Sequence, residues 1–141
     1  MNDEPDQYCF RNVDLEIRSR SKLDALKEEW RDEVITLHSG MEGGTYLLNV
    51  ELTMMRFKKN FSPDSCIRAF SKLVEKLPPA GRRVWDRATK KSFDVGWDIS
   101  GVRQWSSSFA IKPETLRRVA GLGATLSVTV YHHRNTRTKT D

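Results

Sequence analysis

The sequence predicts an α+β fold of two layers, a mainly antiparallel sheet of about six strands with helices packed on one face. Three observations predict it. Several segments alternate apolar and polar residues with a period of two, as strands with one wet face do. One long segment, Ser62 to Leu77, carries an apolar stripe of period 3.6. The two kinds of segment interleave in the order β-α-β-β-α-β-β-α-β, which lays helices over one side of a sheet.

Taken along the chain, Asn12 to Ser19 is the first expected strand, with Val13, Leu15 and Ile17 alternating with Asp14, Glu16 and Arg18. A short helix follows over Lys22 to Trp30, with Leu23, Leu26 and Trp30 on one side. Glu33 to His38 reads as a second strand, ended by Gly40, Gly43 and Gly44, which accept the positive φ of a turn. Thr45 to Met55 reads as a third strand, with Leu48, Val50, Leu52 and Met54 on one face. It should pair with the second as an antiparallel hairpin.

Ser62 suits the N-cap of the long helix and Pro63 its first turn, while Asp64 complements the positive helix end. Ile67, Phe70, Leu73, Val74 and Leu77 form its stripe, and Pro78-Pro79 should end it. Gly81 to Thr89 is a second helical piece with Val84, Trp85 and Ala88 inward. Ser92 to Ile99 alternates as a strand: Phe93, Val95, Trp97 and Ile99 against Asp94, Gly96 and Asp98. Beyond a loop through Gly101 and Arg103, a strand is expected around Ser107 to Ile111. Pro113 then opens a helix bearing Leu116, Val119, Ala120 and Leu122, capped by Gly123. Thr125 to Tyr131 is the last strand. Asp14 to His38 and Ser107 to His132 both read strand, short helix, strand, which hints at a pseudo-repeat.

The 141 residues suit one domain, assigned to residues 11–132, between a flexible acidic N-terminus (1–10) and a flexible polar tail (133–141). No apolar run approaches the ~20 residues of a membrane span, and the acidic start is unlike a secretory signal. A cytoplasmic protein is therefore expected, with Cys9 and Cys66 as free thiols. Charge is uneven. Residues 1–42 hold 11 acids and 6 bases, net −5; residues 43–141 hold 8 acids and 18 bases, net +10. Such asymmetry can steer an anionic partner to the C-terminal part.

The segments Val84-Trp85-Asp86-Arg87-Ala88 and Ser92-Phe93-Asp94-Val95-Gly96 are similar to a family of small uncharacterised bacterial proteins with a WDxA…FDIG-like signature. Pro113-Glu114-Thr115-Leu116, Leu122-Gly123-Ala124 and Val128-Thr129-Val130-Tyr131 resemble it too, as do Leu37-His38-Ser39-Gly40 and Asn49-Val50-Glu51-Leu52. The resemblance covers roughly residues 10–132. It implies a cytoplasmic bacterial domain of unknown function and assigns no catalytic residue. Small stand-alone α+β proteins of this kind often serve as immunity or accessory factors.

The chemistry-bearing residues form few constellations. Asp94 and Asp98 share a strand face but stand about 13 Å apart, too far for a shared-proton dyad. Asp86 could approach Asp94. His38, His132 and His133 show no short-spaced pairing with Cys9 or Cys66, so no metal is expected. Nothing marks a serine of Ser106-Ser107-Ser108 as activated, and no cofactor motif is present. Basic residues recur at Arg56-Phe57-Lys58-Lys59, Arg82, Arg83, Arg87, Lys90, Lys91, Arg117 and Arg118, and in the tail. Trp30, Trp85 and Trp97 are assigned to the core and Trp105 to a surface.

The leading expectation is a non-enzymatic protein-interaction domain of the immunity or accessory type. It would bind an unknown protein partner, not a membrane, through the exposed sheet face or the loop of Arg103 to Ser107, with Arg103, Trp105, Asp94 and Asp98 as contact residues. The alternative is a nucleic-acid-binding surface of Arg82, Arg83, Lys90, Lys91, Arg117 and Arg118. The third reading is a hydrolase using Asp86, Asp94 or Asp98.

Overall fold

A computed structural model describes residues 9–57, 60–99 and 106–132. Their elements run β1 (Phe10–Ser19), α1 (Asp24–Trp30), β2 (Val34–Glu42), β3 (Thr45–Leu52), a 3-10 turn (Thr53–Arg56), α2 (Pro63–Glu75), α3 (Pro79–Arg87), β4 (Lys90–Asp98), α4 (Pro113–Gly121) and β5 (Thr125–Tyr131). The fold is α+β. One five-stranded sheet has the order β2-β3-β1-β4-β5. Its pairs are antiparallel except β4 with β5, which is parallel.

The period-two pattern sorts the side chains as expected. Val13, Leu15 and Ile17 of β1 face the helices with Leu48, Val50 and Leu52 of β3 and Phe93, Val95 and Trp97 of β4, and all are buried. The helices close this face through aromatic contacts. Trp30 of α1 meets Trp85 of α3 edge-on, with ring centroids 6.4 Å apart, and Phe70 of α2 lies 5.7 Å from Phe93. The Trp85 indole N–H donates to the Leu122 carbonyl at 2.9 Å, tying α3 to the end of α4. Cys9 and Cys66 are both buried free thiols, and burial pushes Cys66 up to about 12.

The structure corrects five local expectations. β2 runs on through Gly40 to Glu42; only Gly43 and Gly44 form the turn, with φ of +62° and +84°, the two-residue hairpin geometry whose twist matches the strands. β3 stops at Leu52 rather than Met55, because the Thr53 N–H donates to the Glu33 carbonyl and the chain winds into the 3-10 turn. α2 ends at Glu75, and Pro79 opens α3 instead of only closing α2. A proline at the first helical position forfeits no hydrogen bond.

The fourth correction is the missing sixth strand: residues 106–112 form none. Because β5 lies parallel to β4, the chain must cross over the helix side of the sheet between them. Phe109 stacks on Trp97 at 4.9 Å, and Ile111 also packs on the core. The fifth concerns the pseudo-repeat. The second strand-helix-strand unit is β4-α4-β5, with adjacent strands, whereas β3 inserts between β1 and β2 of the first.

Candidate functional site

The side of the sheet away from the helices is polar, and its ionisable groups lie in register. Asp14 on β1 stands opposite Glu51 on β3 and Asp94 on β4, so three carboxylates form a row across three strands. Glu51 accepts from Arg56 at 2.8 Å and from the Asn12 amide at 3.4 Å. Asp94 receives the Thr129 hydroxyl of β5 at 2.9 Å. Asp14, at the centre, makes no ion pair with a described residue. Burial first, then the Asp94 charge, push its carboxyl up from 3.8 to about 6, against the Asn49 side chain, which donates to it.

One strand repeat away from Asp14, Glu16 is held below the ordinary range. Burial opposes its charge, but hydrogen bonds from Arg18 and Lys90 outweigh that. Two side-chain repeats along β4 from Asp94, away from the row, Asp98 lies 3.8 Å from Arg11, whose guanidinium is 4.5 Å from the Tyr131 ring centre.

Asp14 was not a candidate in the sequence, although alternation already placed it on the polar face. Its partners lie 37 and 80 positions away, and strand order alone aligns them. A raised acid weakens folding as it ionises: stability is greatest below the unfolded value of 3.8 and declines as pH rises through about 6. Asp14→Asn removes that penalty. After discounting for partial solvent screening, it should stabilise the protein by about 1–2 kcal/mol at pH 7 and by nothing at pH 3.5. Urea titrations of both proteins at the two pH values check this; a gain independent of pH would refute the assignment.

The structure does not bring the three candidate hydrolytic acids together. Asp86 is on α3, exposed and paired with Arg82, on the helix side of the sheet. Asp94 and Asp98 are half-buried on the opposite side. Among the described residues no group of three His, Cys, Asp or Glu side chains could hold a metal.

The six basic candidates are also divided. Arg82 pairs with Asp86 and Arg118 with Glu75 of α2. Lys90 reaches Glu16 on the polar sheet face, while its neighbour Lys91 points to the helix side, over the Trp85 ring. Arg83 and Arg117 are exposed on α3 and α4. Arg103 and Trp105 lie outside the described residues.

The signature-like residues are largely structural. Trp85, Ala88 and Phe93 belong to the core. Gly96 sits where a Cβ would come 2.6 Å from Asn12 Oδ1, so any side chain there displaces Asn12 from Glu51.

The β5 edge is the feature that sequence reasoning missed. No described strand pairs with its outer side. Ser127 and Thr129 anchor its polar face to Ser92 and Asp94. On its other face the helix layer stops short: Val128 and Val130 are 49% and 46% exposed, and Leu116 of α4 is 44% exposed. The period-two pattern predicts which way these valines point, but not that no described helix covers them.

No family model, curated protein or solved structure matches the chain.

Proposed function

We propose that the chain is a non-enzymatic protein-interaction domain, which a partner engages by adding an extended segment to the outer edge of β5. The observation that carries this reading is the edge itself. Its seven residues, TLSVTVY, contain no charge and no proline, the two devices that usually protect a free strand edge from pairing. Unpaired backbone groups supply affinity in strand addition, and alternate side chains supply specificity. Here Val128 and Val130, with Leu116 beside them, offer apolar contact on one face. Asp94 and Asp98, one strand in, offer charge on the other.

Arg103 and Trp105 fall in the connection from β4 to α4 and extend the same proposal. The resemblance to small bacterial proteins directs the search for a partner to a bacterial cytoplasm, and an immunity or accessory role fits a domain of this kind. Among the described residues no helix is long and apolar enough to cross a membrane.

The test is a quantitative pull-down from host lysate with the full chain and with a Val128→Lys, Val130→Lys variant. Both positions are half-exposed, so the variant should melt within a few degrees of the parent. A stoichiometric partner retained by the parent and lost by the variant is the expected result. A partner bound equally by both, or no stoichiometric partner at all, overturns the reading.

A further inference from the structure

The register of β5 on β4 fixes which of its backbone groups point outward. In a parallel pair, alternate residues turn both N–H and C=O toward the same neighbour. The Tyr131 carbonyl accepts from the Ile99 N–H at 3.2 Å, so Tyr131, Thr129, Ser127 and Thr125 turn their groups toward β4. Leu126, Val128 and Val130 turn theirs to the outer side, where no described strand pairs with them. The same three residues carry the apolar face of the strand, on which Val128 and Val130 are half-exposed.

These groups are symmetric about Val128. An antiparallel neighbour of the same sequence, centred there, sets Val128 against Val128 and Leu126 against Val130. Facing residues of this kind exchange both N–H and C=O, so three outward donors on each of two copies give six hydrogen bonds. Neighbouring registers do worse. Centred on Ser127, Val130 would face Ala124, whose N–H already donates to the Val119 carbonyl; centred on Thr129, Leu126 would face His132, beyond the strand end. Side chains match as well: Ser127 faces Thr129 and Thr125 faces Tyr131, and no charge of β5 meets its like. Asp94 and Asp98 of the two copies stand three strand spacings apart, about 14 Å, beyond the screening length of about 8 Å.

The opposite edge lacks this complementarity. β2 shifts register between Thr36 and His38 and carries Glu42, so a bulge and a charge guard it. A single self-pairing edge closes a two-fold dimer and does not continue into a filament. We propose that the partner at the β5 edge is a second copy of this chain, paired antiparallel about Val128 so that two five-stranded sheets become one. This rests on the reading of β5 as the interaction edge, and the partner recovered from a lysate would then be the chain itself.

Sedimentation equilibrium of the full chain, from about 5 μM to about 1 mM, should show monomer and dimer with a Kd of about 100 μM, the strength of a small interface. Amide exchange at Leu126, Val128 and Val130 should slow as concentration rises, while exchange at Ser127 and Thr129, bonded to β4, should not change. Val128→Lys and Val128→Glu, at a half-exposed position, should each weaken self-association at least about tenfold, because like charges then face each other. An equimolar mixture of the two variants should associate again, since residue 128 of one copy faces residue 128 of the other. A chain still monomeric at about 1 mM overturns the proposal. So does a dimer that neither charge weakens, a mixture that stays monomeric, or slow exchange at Leu126, Val128 and Val130 at every concentration, the sign of cover within one chain. If the chain is monomeric while a lysate yields a different stoichiometric partner that the Val128→Lys, Val130→Lys variant loses, the second copy is refuted and the β5 reading stands.

Discussion

Trp85→Ala should cost about 3–5 kcal/mol, enough to bring a domain of ordinary stability close to unfolding. Trp85 is fully buried, and three separate elements depend on it. Its ring meets Trp30 of α1 edge-on, its indole N–H holds the Leu122 carbonyl at the end of α4, and Lys91 of β4 lies over its ring at 5.6 Å. Removing it leaves a cavity among rigid neighbours and a carbonyl without its donor. Trp85→Phe separates the two effects. Most of the volume stays, so only the lost hydrogen bond and a small void remain, about 1–2 kcal/mol. Urea unfolding followed by far-UV circular dichroism measures both. An alanine variant less than about 1 kcal/mol weaker would mean that the helix layer does not depend on this side chain.

Asp64→Ala should cost about 2–3 kcal/mol at neutral pH and release the crossover between β4 and α4. Asp64 is a buried acid in the first turn of α2, where the helix dipole favours it. Its Oδ1 accepts the Lys112 N–H at 2.9 Å, and Arg68 Nε lies 3.1 Å from Oδ2, out of hydrogen-bond alignment. Burial opposes the charge, yet the Lys112 amide, the Thr115 hydroxyl and Arg68 together hold the carboxyl below its ordinary 3.8. A depressed acid stabilises the fold above its unfolded value, and that contribution disappears as pH falls through the folded one. The difference between Asp64→Ala and the parent should therefore narrow below pH 4. Amide exchange at Lys112 should quicken more than exchange in β1. Unchanged exchange at Lys112 would show that the crossover is held by Phe109 and Ile111 alone.

These two residues also mark where the sequence was legible. Trp85 could be placed in the core from its helical spacing with Val84 and Ala88, since a 3.6-residue period is a local property. Asp64 could be placed at a helix start by Ser62 and Pro63, and Ser62 does form a capping box with Ser65. That Asp64 reaches Lys112, 48 residues on, was not legible. The Ser107 to Ile111 segment failed for the same reason. Its alternation is genuine, and Phe109 and Ile111 do turn inward, but they pack on Trp97 and the core rather than pairing in the sheet. Alternation reports which side chains are buried, not whether the backbone finds a strand partner.

The candidate sites divide similarly. The polar identity of one sheet face was readable from Asp14, Glu16, Asp94 and Asp98. The alignment of Asp14 between Glu51 and Asp94 was not, because it needs the order β3-β1-β4.

The sequence by itself determined an α+β domain with one polar and one apolar sheet face, the long capped helix, and the aromatic residues of its core. Each follows from periodicity and end signals that act within a few residues. Tertiary structure alone decided the strand order, the parallel β4–β5 pair and the exposure of Val128 and Val130 on the edge strand. These depend on contacts between segments far apart in the chain, where many pairings satisfy the same local pattern and only packing of the whole selects one.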